Sequence, residues 1–125
     1  MKTLIILALG AFFAFAPQEP ERPSPDSFTI DFNQVADGIR TIEATPSRLV
    51  CPKKVTILIE EESKTIKSVD YVGGCNGNLK AIRALLVGQT VDYAIEKLSG
   101  IECGKRPTSC TDQLARILKK VYSKE

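Results

Sequence analysis

The chain has 125 residues, a formal net charge of +2 at pH 7 and 26% charged residues, which fits one domain with a modest core and offers no electrostatic ground for binding nucleic acid. Histidine is absent, so imidazole acid–base catalysis, Ser-His and Cys-His nucleophile pairs and mixed Cys/His zinc sites are excluded. The residues left for special chemistry are four cysteines, Cys51, Cys75, Cys103 and Cys110.

Residues 1–16 read as a signal-like apolar segment. A lysine is followed by an apolar run from Leu4 to Ala16, short for a membrane span and of signal-core size, with Ala14-Phe15-Ala16 as a cleavage pattern that Pro17 then spoils. Residues 17–38 read as a linker, mostly unstructured, because PQEPERPSPDS is rich in Pro, Glu and Ser. Phe28, Ile30 and Phe32 alternate there as in a short strand, and Ile39 to Ile42 suggest another. The folded domain is placed over residues 39–125.

From Cys51 onward the pattern sharpens. Val55 to Ile59 is short and β-branched, Glu60-Glu61-Glu62 marks a solvated turn, and Thr65 to Val72 resumes with Ile66, Val69 and Tyr71, so the two runs predict an antiparallel hairpin. Gly73, Gly74 and Gly77 then surround Cys75, a loop whose glycines permit positive φ and leave backbone N–H groups open. Leu79, Ile82, Leu85 and Leu86 form one helical stripe, ending at Gly88. Val91, Ala94, Ile95 and Leu98 form a second behind the N-cap Thr90.

A third helix is expected to carry Leu114, Ile117, Leu118 and Val121 inward. Ser109 and Asp112 give it a capping pattern, which makes Cys110 the first helical residue, where the helix dipole favours a thiolate. The loop from Gly104 to Thr108 turns Cys103 back toward Cys110, with Lys105 and Arg106 exposed in it. Every cysteine falls at an element boundary, whereas cysteines that merely pack have no reason to do so. A shared metal site, two disulfides, a Cys103/Cys110 redox pair and plain packing all stay open, since no pair has the C-x₂-C spacing of a zinc knuckle.

The run G-G-C-x-G-N-L-x-A-I, then L-L-V-G, G-I-x-C-G and T-S-C-x-D-Q-L-A, resembles the TSCPD domain, found as small standalone bacterial proteins and at the C-terminal end of adenosylcobalamin-dependent ribonucleotide reductases. Thr111 stands where the naming motif has proline. A cysteine before a hairpin, a glycine-flanked cysteine opening a helix and a cysteine before the last helix are also similar to U-type iron–sulfur scaffold proteins. The resemblance implies an α+β fold with a small antiparallel sheet packed by about three helices and the cysteines gathered at one end.

It further implies a metal site of Cys51, Cys75, Cys103 and Cys110, holding zinc or an iron–sulfur cluster. Gly73, Gly74, Gly77, Gly104, Ser109 and Asp112 would support that site as loop and cap. By the same resemblance the chain would be related to ribonucleoside-diphosphate reductase, though too short to be a complete reductase with its catalytic barrel. The expectation is an accessory module of deoxyribonucleotide synthesis, with a ribonucleotide reductase or redox protein as partner and no nucleic acid. The N-terminus points instead to export, or to a membrane reached only through an uncleaved 1–16 segment, while the resemblance points to the cytoplasm. An exported, disulfide-stapled binding protein on the same scaffold is the alternative.

Overall fold

The computed structural model describes residue 10 and residues 16–123, so the signal-like segment lies almost wholly outside the described residues. Among those residues no helix is long and apolar enough to cross a membrane. Strands β1 (Thr29–Ala36), β2 (Ile39–Thr45), β3 (Lys54–Glu60) and β4 (Thr65–Val72) precede helices α1 (Asn76–Leu86), α2 (Val91–Leu98) and α3 (Cys110–Tyr122). The strands form one antiparallel sheet in the order β1-β2-β3-β4, which makes the fold α+β as the sequence pattern requires.

Each strand is joined to the next locally. Asp37 and Gly38 turn β1 into β2 with φ of 52° and 77°, both left-handed, the geometry whose twist suits a two-residue hairpin. In β3 the burial alternates strictly, so Val55, Ile57 and Ile59 point inward and pair with Tyr71, Val69 and Ile66 of β4. These side chains, with Ile42 and Ala44 of β2, form the core with Leu86, Val91, Ala94, Leu114, Ile117 and Leu118 from the helices. A fully buried Ile or Leu contributes about 1.5–3 kcal/mol, so this interface supplies most of the stability.

The helix caps follow the sequence. Thr90 Oγ1 accepts the amide of Tyr93 at 3.1 Å, and Ser109 Oγ accepts that of Asp112 at 3.1 Å.

Two expectations need correction. The sheet begins at Thr29, well inside the span 17–38 read as linker. The alternation of Phe28, Ile30 and Phe32 marks the start of β1, but only Ile30 of the strand is even partly buried, so its length to Ala36 has no two-sided pattern to reveal it. Its ladder slips between Ile30 and Phe32, leaving Asp31 without a register partner, and the Asp31 carboxylate accepts the hydroxyls of Thr29 and Thr45 at 3.0 and 2.7 Å. Secondly, Glu61 is not a solvated turn residue. Its carboxylate takes Arg40 Nε and Nη2 at 2.8 and 2.6 Å and the Tyr122 hydroxyl at 3.1 Å, tying the end of α3 to β2. The Arg40 bonds, aided by Lys64 and Tyr122 against some desolvation, hold the Glu61 carboxyl down to about 2.

The residues just before β1 are also fastened. Ser47 Oγ donates to Ser24 O at 2.7 Å, Gln113 Nε2 to Pro25 O at 2.7 Å, and Arg116 Nη1 to Asp26 Oδ1 at 2.6 Å. Removing residues 1–23 is therefore expected to leave the urea midpoint in place, while removing 1–27 lowers stability by about 1–2 kcal/mol, since buried Gln113 loses an acceptor. Equal midpoints for the two truncations would show that these bonds contribute nothing.

Candidate functional site

The four cysteines sit at element boundaries. Cys51 lies in the β2–β3 loop, Cys75 is the N-cap of α1, Cys103 follows α2, and Cys110 is the first residue of α3. All four are free thiols, three of them exposed and Cys110 partly buried.

Cys75 is set by the two residues before it. Gly73 and Gly74 have φ of 79° and 88°, and a Cβ on Gly74 would stand 2.9 Å from Leu79 Cδ1 and 3.0 Å from Pro52 Cγ. The Cys75 loop thus passes against the residue that follows Cys51, an approach only glycine allows. The amide of Lys53 donates to Val72 O at 2.8 Å and closes the same junction. Gly74→Ala is expected to cost about 2 kcal/mol, from the left-handed backbone and the clash together, read as a fall in urea midpoint. An unchanged midpoint would mean that the loop yields freely. Gly77 does not share this role: it lies inside α1, has no positive φ, and a side chain there would meet nothing within 4 Å.

The Cys103 loop is a tight turn. The Arg106 amide donates to Cys103 O at 3.0 Å, the Cys103 amide to Thr108 O at 3.2 Å, and Gly104 takes φ of 60°. The turn carries Arg106 toward the β2–β3 loop, where its Nη1 lies 3.9 Å from Cys51 Sγ.

Cys110 rests on a buried polar hub. Asp112 Oδ2 accepts Thr108 Oγ1 at 2.6 Å and Arg116 Nε at 2.7 Å, and Oδ1 accepts the Gly100 amide at 2.7 Å. Burial pushes the Asp112 carboxyl up, but the bonds from Thr108, Arg116 and Gly100 outweigh it and hold it below the usual carboxylate range. Gln113 Oε1 accepts the Ser47 amide at 2.9 Å, and its Nε2 donates to Thr108 Oγ1 at 3.0 Å. The sequence reading found Ser109 and Asp112 but missed Thr108 and Gln113. Their signal is the polar run T-S-C-T-D-Q itself, longer than one cap requires.

The thiolate expected at Cys110 is corrected. Burial raises the thiol first; the backbone amides of Cys51 and of Cys110 itself lower it, charge on Cys51 and Cys75 raises it, and the result is upward. Tyr71 on β4, also missed, has a buried hydroxyl without a hydrogen-bond partner among the described residues. Burial, and then charge on Cys110, push its phenol up.

Among the described residues no group of three or more Cys, Asp or Glu side chains stands ready to hold a metal ion. The donor chemistry nevertheless suits a thiophilic ion. Four thiols are free, three of them exposed, and Arg106 donates toward the Cys51 sulfur as supporting groups around thiolate ligands do.

A sequence model of the TSCPD domain matches residues 30–122. Searches of curated proteins and of solved structures return no match.

Proposed function

Since the chain belongs to the TSCPD domain family, a domain of the ribonucleotide reductase kind, we propose that it is a small metal-binding accessory module that uses Cys51, Cys75, Cys103 and Cys110 as ligands. The observation that carries the reading is that the cysteine-bearing loops meet one another. Gly74, beside Cys75, packs so closely on Pro52, beside Cys51, that a Cβ there would stand 3.0 Å from its ring, and Arg106, from the turn between Cys103 and Cys110, reaches 3.9 Å from Cys51 Sγ. Four free thiols on loops that meet in this way are the donor set a thiophilic divalent cation takes.

Zinc is the ion we favour, because closed tetrahedral thiolate coordination asks only for four sulfurs and stabilises a small domain directly. When bound it supplies cross-linking of three loops to the start of α3. The chain's own residues do the rest. Ser109 and the Asp112 hub fix Cys110, Gly74 seats the Cys75 loop against Pro52, and Arg106 donates to Cys51. The partner we infer is a ribonucleotide reductase or a redox protein serving it, in deoxyribonucleotide synthesis.

Native mass spectrometry beside a thiol count tests the reading. One zinc per chain with all four thiols shielded until chelator is added is the expected result. An iron–sulfur cluster would reveal itself by its absorption and change the cofactor. A metal-free chain with four reactive thiols, or one with two stable disulfides, would overturn the proposal.

A further inference from the structure

Charge is divided unevenly along this chain. The three segments that carry the cysteines, residues 46–53, 73–80 and 99–110, hold five cations, Arg48, Lys53, Lys80, Lys105 and Arg106, against the single acid Glu102. They stand at +4 in a chain of +2, so everything else sums to −2. The fold keeps these segments apart from the remaining acids of the sheet turns. Successive strands run in opposite directions, so the β2–β3 loop and the end of β4 lie at one end of the sheet, and the turns holding Asp37 and Glu62 lie at the other. The strands span about 20 Å between the two ends, against a Debye length of about 8 Å at physiological salt, so those acids do not offset the basic end.

Local contacts join the segments. A Cβ on Gly73 would stand 3.7 Å from Cys51 O and 3.9 Å from Lys53 Cγ, and Arg106 Nη1 lies 3.9 Å from Cys51 Sγ. Lys80 shares the wall of a groove of about 280 Å³ with Gly73 and Gly74. Lys53, Lys80, Lys105 and Arg106 are all exposed, and none has a carboxylate partner among the described residues, whereas Arg83 beside the groove is paired with Asp70. Apolar side chains are exposed in the same stretches, Val72 at 60% just before Gly73 and Ile101 at 43% just before Glu102.

We propose that this end of the molecule is a docking face for another protein, met through an acidic segment with apolar residues interleaved. The inference rests on the reading of the chain as an accessory module with a protein partner and adds the chemistry that holds that partner; it does not depend on which ion the thiols carry. Unpaired cations crowded at one end repel one another, and a partner that brings carboxylates relieves the repulsion while its apolar residues cover Val72 and Ile101. A second copy of this chain meeting the face head-on would bring like charge, which opposes self-association there. Nucleic acid fits less well, because none of the three segments contains an aromatic residue on which a base could stack. A partner seated on this face lies over the loops in which Cys51, Cys75 and Cys103 are exposed.

The test titrates the full chain, its metal content measured on the same sample, into a short fluorescein-labelled peptide of Asp, Glu, Leu and Ser, read by anisotropy. A peptide with Lys at every acidic position is the control. The acidic peptide is expected to bind more than about tenfold more tightly than the control, and to weaken as salt is raised. Lys80→Glu together with Lys105→Glu should weaken it about tenfold, whereas Lys119→Glu with Lys120→Glu, the same charge change on α3, should leave it within about twofold. In the parent chain, amide shift changes should fall on residues 51–53, 73–80 and 101–106. Equal binding of the two peptides, equal losses from the two double variants, or shift changes confined to other surfaces would overturn the docking face. Tighter binding of phosphatidylserine vesicles, or of a single-stranded oligonucleotide of equal charge, would overturn the assignment to a protein partner. Metal content reports separately on the zinc proposal, so a metal-free chain that still binds the acidic peptide at this end would remove the zinc and keep the docking face. The parent chain's shift map decides the location even if a variant fails to fold.

Discussion

Asp112→Ala is expected to lower the unfolding free energy by about 3 kcal/mol, the largest loss from any single polar residue of this fold. The carboxylate is 2% exposed and accepts bonds from the Thr108 hydroxyl, the Gly100 amide and the Arg116 guanidinium. Its removal strands three donors at once, two from the loops flanking Cys103 and one from α3. Urea unfolding reads the loss. A midpoint shift worth less than about 1 kcal/mol would mean that water replaces the carboxylate at little cost.

The effect has a definite pH signature. Asp112 is held below its ordinary range, so its contribution is fully present above the unfolded carboxyl value of about 3.9 and disappears as pH falls through the folded value. Parent and variant should therefore converge in stability in acid and differ most at neutral pH. Parallel curves would show that the carboxylate charge is not what the hub uses.

The other large effect belongs to the thiols. Replacing any one of Cys51, Cys75, Cys103 or Cys110 by Ser is expected to weaken zinc binding by more than about a hundredfold, measured by competition with a chromogenic chelator. Four ligands of one ion act as a unit, so a double replacement should be scarcely worse than a single one. Losses that group instead into two independent pairs would belong to disulfides, and a cysteine whose replacement leaves affinity unchanged would not be a ligand.

The sequence revealed those parts of the fold whose causes are local. The β3–β4 hairpin shows in the alternation of Val55, Ile57 and Ile59, and α2 and α3 show in their stripes and in the caps Thr90 and Ser109. β1 showed only at its start, in the alternation of Phe28, Ile30 and Phe32; its remainder is exposed, so no hydrophobic alternation records how far it runs. The polar hub escaped for another reason. Gln113 joins Pro25 and Ser47, residues 88 and 66 positions away, and no local pattern signals a buried amide whose partners are main-chain groups so distant.

At the site, the cysteines and the glycine approach at Gly74 were legible from composition and punctuation. The state of Cys110 was not. A helix N-terminus argues for the thiolate, but the opposing desolvation depends on how far tertiary packing buries the sulfur, which only the fold determines. Likewise Arg106 is visible as a loop cation, while its reach to Cys51 across the molecule is not.

The slip in the β1 ladder bears on how molecules of this protein treat one another. A free outer strand is a template on which a neighbouring chain can add its own, and long, regular edges are where aggregation begins. Here Asp31 is the extra residue, clamped by Thr29 and Thr45 so that an anionic side chain interrupts the row of N–H and C=O groups one residue after Ile30. A bulge of this kind twists the edge and breaks its spacing, so an incoming strand finds matching partners for only a few residues. The outer border of the sheet thereby discourages cross-β stacking, leaving solubility less dependent on a net charge of only +2.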